Sequence, residues 1–167
     1  MTIELSILIV SYNTKDLTLQ TIDSVVRALK TDHALRKATE IIVIDNNSTD
    51  GSKTALAQLA NTSDIPIVVL QQQENLGFAA ANNEGIKRAR GNHYLLLNSD
   101  TIVEEGALTH LWQVAHNTQY ATYGILAAEL RNTDGSLQPQ GGDLPSLCSL
   151  INQQLFLDDI PFFGKRL

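Results

Sequence analysis

Four short apolar runs divide the first hundred residues of the chain. They are rich in Ile, Val and Leu, lack alternating polar residues, and cover residues 5–10, 41–44, 67–70 and 94–97. Uninterrupted runs of this length are typical of strands buried on both faces of a parallel sheet. The pattern therefore predicts four central strands.

Segments with helical periodicity lie between and after these runs. In the first, apolar residues from Leu19 to Leu29 recur at spacings of three and four behind Thr14, a suitable amino-terminal cap. A second predicted helix begins at Asp50-Gly51-Ser52, and a third covers residues 77–90. A fourth covers residues 104–116 and has acidic residues in its first turn. Strands alternating with helices predict a three-layer α/β/α sandwich with a mainly parallel sheet.

The regular pattern ends after residue 123. Residues 124–130 form a further strand candidate, and the Asn-Thr-Asp-Gly sequence at 132–135 is a strong turn signal. We predict a core domain over residues 1–145, followed by a segment over 146–167 that we expect to be poorly ordered.

Composition narrows the classes of function. The chain has 167 residues, a net charge of -6 and only 12 Lys and Arg, which argues against a nucleic-acid-binding surface. An anionic ligand on such a protein needs helix amino termini or a bound cation. The single cysteine, Cys148, indicates a reducing compartment, so we expect a cytoplasmic protein. We find no run of the ~18 apolar residues that a transmembrane helix needs.

Polar residues follow each predicted strand. They are Ser11-Tyr12-Asn13, Asp45-Asn46-Asn47-Ser48, Glu74-Asn75 and Asn98-Ser99-Asp100. Helix capping alone explains many polar loops, so any one of these segments is weak evidence. Because parallel strands deliver their carboxyl ends to one edge, the four together favour a single ligand crevice.

Two carboxylates in this set suggest specific chemistry. Asp100 comes directly after a buried strand, as expected for a carboxylate that anchors Mg2+ or Mn2+. Asp45 offers an acceptor for the imide N–H of uracil or thymine, with Tyr12 placed to pack on the base. Gly77 allows the backbone to approach a ligand closely. Phe78 beside it is interpreted as a core residue.

The aromatic and imidazole side chains carry no functional prediction. Trp112 lies in an amphipathic pattern and is interpreted as core. The four histidines show no spacing typical of metal ligands.

Four motifs occur in order: SILIVSYN, EIIVIDNNSTDGS, NLGFAAANNEGI and YLLLNSDTIVEEGAL. Together they resemble the family 2 glycosyltransferases with the GT-A fold, over about residues 3–147, and the last two are similar to the rhamnosyltransferase-like branch. The resemblance implies inverting, metal-assisted transfer of a sugar, with rhamnose as one candidate, from a dTDP- or UDP-sugar to a glycan or lipid-linked acceptor. It also implies work on cell-wall or other polysaccharides at the inner face of the cytoplasmic membrane.

The resemblance assigns a site residue by residue. The implied metal ligand is Asp100, and the implied donor-binding residues are Ser11, Tyr12, Asn13, Asp45, Asn47, Asp50, Asn75, Gly77, Asn82, Asn83, Asn98 and Ser99. Asn98 replaces the first acid of the family's Asp-any-Asp motif, which lowers the negative charge available to a cation. Asn82 stands where many members have Arg.

The family's general base is expected beyond Leu167. Glu129, Asp143, Asp158 and Asp159 do not match its sequence context. We therefore expect the chain to be the donor-binding portion of a longer enzyme and to bind donor without transferring sugar. Association of two copies through the final segment is left open.

Three other functions are weighed. A catalytically inactive nucleotide-sugar sensor would carry the same donor residues. A sugar-nucleotide nucleotidyltransferase needs a glycine-rich loop after the first strand, and SYNTKD contains no glycine. A Rossmann dehydrogenase is disfavoured because no G-x-G-x-x-G sequence follows a strand.

Overall fold

The structure is a computed structural model that describes residues 2–138. Its centre is a four-stranded parallel sheet in the order β3-β2-β1-β4. The strands are β1 (Leu5–Ser11), β2 (Thr39–Asp45), β3 (Ile67–Gln71) and β4 (His93–Asn98). The four predicted strands and the parallel sheet are confirmed.

Helices cover both faces of this sheet. They are α1 (Lys15–Ala28), α2 (His33–Lys37), α3 (Ser52–Thr62), α4 (Phe78–Arg88) and α5 (Ala107–Ala115), and a short 3-10 turn follows at Thr118–Tyr120. Residues of α1, α2, α3 and α5 share one core with one face of the sheet. Residues of α4 pack on the opposite face. The α/β/α sandwich is therefore confirmed.

The two central strands form the most buried part of the core. Ile7 and Ile9 of β1 pack towards α1, whereas Leu8 packs towards α4, and all three are fully buried. Burial of each such side chain contributes about 1.5–3 kcal/mol. Helix α4 lies very close to the sheet, since a Cβ added at Gly85 would stand 2.7 Å from Leu8 Cδ2 and 2.8 Å from Ile44 Cδ1.

Strand β4 differs from the sequence prediction. Leu95 and Leu97 pack on the core shared with α1, but Tyr94 and Leu96 are 48% and 51% exposed. Within residues 2–138, α4 covers the β1 and β2 part of that face. The prediction of burial on both faces was therefore wrong for β4 in the described part of the chain.

Three further features differ from the sequence predictions. Helix α5 begins at Ala107 after Gly106, whose φ of +80° ends the preceding turn, so Glu104 and Glu105 lie outside its first turn. Phe78 is 55% exposed and is not a core residue. Helix α2 was not predicted, because five residues are too few to show a helical period.

The aromatic residue Trp112 is only partly buried on the core. Its ring contacts His93 and His116, with ring centroids 5.1 Å and 4.1 Å away. Its interpretation as a core residue is therefore correct only in part.

The chain divides after Tyr123 into two units. In the second unit the predicted strand over 124–130 does not form, and one isolated bridge joins Arg131 to Leu137. The predicted turn is confirmed by a 2.9 Å hydrogen bond from the Gly135 N–H to the Asn132 carbonyl. The domain boundary predicted at residue 145, and the segment 146–167, lie outside the described residues.

None of the helices within residues 2–138 is long and apolar enough to cross a bilayer.

A buried carboxylate fixes the amino edge of the sheet. Glu40 is 1% exposed and accepts hydrogen bonds of 2.7 Å each from the Ser6 hydroxyl, the Arg90 backbone N–H and the Arg90 guanidinium. Burial raises the pKa of Glu40, but the bonds from Arg90 and Ser6 outweigh it and leave that pKa below its usual range. The anchor holds the connection between α4 and β4 against β1 and β2.

We expect Glu40→Gln to lower the free energy of unfolding near neutral pH by about 1–3 kcal/mol, because charge-assisted hydrogen bonds are lost. A carboxyl whose pKa is lowered by folding stabilises above its unfolded pKa, and that contribution disappears as pH falls through the folded value. The difference in unfolding free energy between wild type and variant should therefore disappear at acidic pH. Urea unfolding at several pH values measures it.

Glu84→Gln is the matched control, since Glu84 forms an exposed pair with Lys87. It should change little. A pH-independent gap for Glu40→Gln would show that the charge of Glu40 does not stabilise the fold.

Candidate functional site

The carboxyl ends of the strands meet at one edge of the sheet. Ser11, Asp45 and Gln71 form a cross-strand row on β1, β2 and β3, and Asn98 lies opposite Val10 at the end of β4. Asp100 follows Asn98 by two residues. The prediction that Asp45 and Asp100 share one edge is confirmed, with the Ser11-Tyr12-Asn13 loop between them.

Asp45 is fully buried at this edge. Its Oδ1 accepts the Ser48 N–H at 3.1 Å, whereas Oδ2 has no hydrogen-bond partner among the described residues. The Oε1 of neighbouring Gln71 is also buried without a partner there. Leaving a buried acceptor without a donor costs about 1–3 kcal/mol. Two adjacent acceptors of this kind suit a ligand that brings N–H groups.

The loops after β1 and β2 hold each other. The Asn13 N–H donates to Ser48 Oγ at 2.9 Å, and Asn13 Oδ1 accepts the Thr49 N–H at 2.8 Å. Asn13 and Asn47 have φ values of 54° and 69°, a region that asparagine tolerates better than most residues. Tyr12, which directly precedes Asn13 in the chain, is half exposed beside the edge.

Asp50 joins the amino ends of two helices. Its Oδ2 accepts the Lys15 N–H at the start of α1, and its Oδ1 accepts the Ser52 N–H and hydroxyl at the start of α3, at 2.8, 3.0 and 2.6 Å. The hydrogen bond from the Ser52 hydroxyl is the main reason why the pKa of Asp50 lies below its usual range. Thr14 occupies the predicted cap position, but its side chain makes no capping bond. The capping oxygen of α1 comes from Asp50.

The sequence places Asn46 among the polar residues after the strands but assigns it no role. It is 2% exposed, its Nδ2 donates to Asn75 Oδ1 at 2.7 Å, and its Oδ1 accepts the Leu76 N–H at 2.9 Å. Asn75 Oδ1 also accepts the Gly77 N–H at 2.9 Å. Gly77, at φ +76° and ψ 166°, then turns the chain into α4. The available signal was an amide directly after Asp45 with a second amide at position 75.

The two asparagines of α4 have different environments. Asn82 is buried, and its Nδ2 donates to the Phe78 carbonyl at 3.0 Å. Asn83 is exposed. The structure therefore uses one amide proton donor of Asn82 inside the helix, and it leaves the Asn83 side chain at the surface.

The segment after β4 offers oxygen donors. Asn98 and Asp100 are exposed, whereas Ser99 Oγ accepts a 3.2 Å hydrogen bond from Thr14 Oγ1. Within residues 2–138 no hydrogen bond uses the Asp100 carboxylate, and no three His, Cys, Asp or Glu side chains gather as a metal cluster. One carboxylate and one amide oxygen fit Mg2+ or Mn2+ when phosphate oxygens and water complete the shell.

Comparison with known proteins decides the family. The model of glycosyl transferase family 2 matches residues 6–163. The chain belongs to glycosyl transferase family 2. The resemblance of the four motifs is thereby confirmed at the level of the family.

Relatives of this family 2 chain are longer proteins. It is 30% identical over 118 residues to a poly(ribitol-phosphate) beta-glucosyltransferase of Bacillus spizizenii, covering 70% of this chain and 18% of that protein. The chain therefore spans about a fifth of that relative.

Solved structures agree on the fold. A mannosyltransferase of Pyrobaculum calidifontis in complex with GDP-Man and Mn2+ matches with a TM-score of 0.62 and 22% identity, covering 71% of this chain and 34% of that chain. Residues 1–349 of Staphylococcus aureus TarS in complex with UDP-GlcNAc match with a TM-score of 0.59 and 22% identity, covering 68% and 31%. Because both identities are below 25%, these matches support the shared fold alone.

We expect Asp50→Ala to lower the free energy of unfolding by about 1–2 kcal/mol, the usual effect of losing a helix cap. The exchange rate of the Lys15 amide should rise because that N–H loses its acceptor. Chemical denaturation and hydrogen exchange measure the two effects.

Asp23→Ala is the control, because Asp23 makes only an exposed ion pair with Arg27 on the surface of α1. An equal, small effect of both substitutions would show that Asp50 does not hold the two loops together.

Proposed function

We propose that this chain binds a nucleoside-diphosphate sugar at the carboxyl edge of its sheet and forms the donor side of an inverting, metal-assisted glycosyltransferase. The observation that carries the proposal is the buried Asp45 Oδ2, which has no donor among residues 2–138 and lies at the edge where an α/β sheet binds its ligand. Family membership makes a nucleotide sugar the natural ligand.

The base is proposed to occupy the region between Tyr12, Asp45 and Gln71. An imide N–H of uracil or thymine supplies the donor that Asp45 Oδ2 lacks, and the exposed Tyr12 ring offers a packing surface. Asp45 is 0% exposed in the described structure, so binding at its Oδ2 requires the residues that cover it to move. The UDP-GlcNAc complex of TarS supports a uridine nucleotide as the ligand. The mannosyltransferase binds GDP-Man, so a guanosine nucleotide belongs among the ligands to be compared.

The diphosphate is proposed to lie near Asn98 and Asp100. These two residues would hold a divalent cation, which would supply positive charge to neutralise the departing diphosphate. Asp100 provides its charged oxygen ligand and Asn98 a neutral one. The loops around the donor are shaped by Ser11, Asn47, Asn75 and Gly77. Asn82 is buried and bonded to the Phe78 carbonyl, which favours an indirect role, whereas the exposed Asn83 side chain is accessible.

Transfer forms a bond between the acceptor oxygen and the anomeric carbon as the bond to the diphosphate breaks. A base must take the proton of the acceptor hydroxyl, a contribution of about 10²- to 10⁴-fold. We assign this base to no residue of 2–138, so residues 2–138 bind donor without efficient transfer. The sequences of the last two motifs favour rhamnose as the transferred sugar. The proposed acceptor is a glycan or a lipid-linked molecule at the cytoplasmic face of the membrane.

We expect UDP or TDP with Mn2+ to raise the melting temperature more than ADP or GDP does, because a ligand that binds only the folded state stabilises it. Asp45→Asn should reduce this preference, since the carboxylate acceptor is lost. Thermal unfolding with each nucleotide measures it.

Asp64→Asn serves as the control, because Asp64 forms its ion pair with Arg36 at the opposite edge of the sheet. Equal shifts with all four nucleotides in the wild type would contradict the base-binding role of Asp45.

We expect Asp100→Ala to remove the Mn2+ dependence of the UDP-induced shift while the melting temperature without ligand stays close to wild type. The reason is that an exposed carboxylate contributes little packing but provides the charged ligand. Calorimetric titration of Mn2+ in the presence of UDP measures it. Glu105→Ala, an exposed acid in the following segment, is the control, and unfolding of Asp100→Ala would assign Asp100 a structural role.

A further inference from the structure

Helix α1 carries a stripe of hydroxyl groups on a buried face. Thr14, Thr18, Thr21 and Ser24 follow one another at spacings of four, three and three, which places them along one side of the helix. Thr18 and Thr21 are 0% exposed and Ser24 is 1% exposed. Apolar side chains such as Ile22 and Val25 fill neighbouring buried positions of α1. Buried hydroxyls need hydrogen-bond partners, so their partners indicate what the stripe does.

The two hydroxyls furthest along the stripe bind the segment that follows β4. Thr21 Oγ1 donates to the Ser99 carbonyl at 2.9 Å, and Ser24 Oγ accepts the Val103 N–H at 3.0 Å. Ser24 Oγ also donates to the Thr21 carbonyl at 2.7 Å. The bonds form a consistent chain in which Ser24 both accepts and donates.

The segment held in this way contains Asp100. Residues 99–103 adopt neither helix nor strand, and a 3.3 Å backbone hydrogen bond from the Thr101 N–H to the Asn98 carbonyl joins this segment to the end of β4. Thr21 holds the residue before Asp100, and Ser24 holds the residue three positions after it. The Asp100 side chain itself is exposed. Its position is therefore set through the backbone on either side.

We propose that Thr21 and Ser24 are positioning residues that fix the Asp100 carboxylate for the divalent cation of the donor complex. This inference rests on the proposed function, in which Asp100 binds the cation. Groups that orient a metal ligand without touching the metal commonly change metal affinity by about 10- to 100-fold when they are removed. The buried hydroxyl face of α1 therefore acts on the cation through the 99–103 backbone.

The same stripe reaches the nucleotide side of the edge. Ser11 Oγ lies 2.8 Å from Thr18 Oγ1, and Thr14 Oγ1 donates to Ser99 Oγ at 3.2 Å. One helix face thus contacts both the loop after β1 and the segment after β4. Thr21 and Ser24 differ from Thr14 and Thr18 because their bonds outside the helix go to the segment after β4 alone.

The test is calorimetric titration of Mn2+ into the protein saturated with UDP. Thr21→Val and Ser24→Ala should each raise the dissociation constant for Mn2+ about 10-fold. Thr21→Ser keeps the hydroxyl and should restore affinity towards wild type. The affinity for UDP without metal should stay unchanged in all three variants.

Thr39→Val is the matched control. Thr39 is also 0% exposed and donates a 2.7 Å hydrogen bond to a backbone carbonyl, that of Leu35, at the amino edge of the sheet. It should lose stability through the same chemistry and keep wild-type Mn2+ affinity. Hydrogen exchange provides a readout without metal, since Ser24→Ala should speed exchange of the Val103 amide.

The outcomes separate the two levels of inference. Wild-type Mn2+ affinity in folded Thr21→Val and Ser24→Ala overturns the positioning role and leaves the proposed function intact. A wild-type protein that binds no Mn2+ in the presence of UDP overturns the cation role of Asp100 and, with it, the role of the two hydroxyls. If Thr21→Val does not fold, Ser24→Ala and its exchange measurement decide the question.

Discussion

Strands β1 and β2 pair in parallel over all seven residues of each strand at the centre of the sheet. The register pairs Ser11 with Asp45, so the two strands end side by side at the carboxyl edge although they are distant in sequence. Both strands are buried almost completely, and a shift by one residue would exchange their two apolar faces. The sheet core therefore determines which polar residues meet at the carboxyl edge.

The loops at that edge depend on one another for their hydrogen bonds. Asn13 is bonded to the loop after β2, Asn46 to the loop after β3, and the Ser99 carbonyl to Thr21 of α1. In addition to the bonds within each loop, these side chains connect each loop to a neighbouring segment. This arrangement makes the edge a cooperative unit, in which a change in one loop is felt by the next.

Much of the fold was predictable from the sequence because apolar periodicity reports burial directly. The four strands and the long helices follow from that signal. Burial of β4 was not predictable, since Tyr94 and Leu96 have the same apolar character as residues that a helix covers. The roles of Asn46, Thr21 and Ser24 were hidden for a different reason. An amide or hydroxyl is equally common in a turn, a cap and a long-range hydrogen bond, and only the spatial arrangement identifies its partner.

The start of β4 is fixed by contacts with Ser6 of β1. The Gly91 N–H donates to Ser6 Oγ at 2.9 Å, and a Cβ at Gly91 would stand 2.8 Å from the Ser6 nitrogen, so the start of the strand cannot slide easily. The six residues of β4 then span the sheet from the end held by Glu40 to the opposite edge. A single inserted residue would advance the far end by about 3.3 Å and reverse which side chains face α1. The length of β4, as much as the chemistry of its last residues, thus places the carboxylate that follows it.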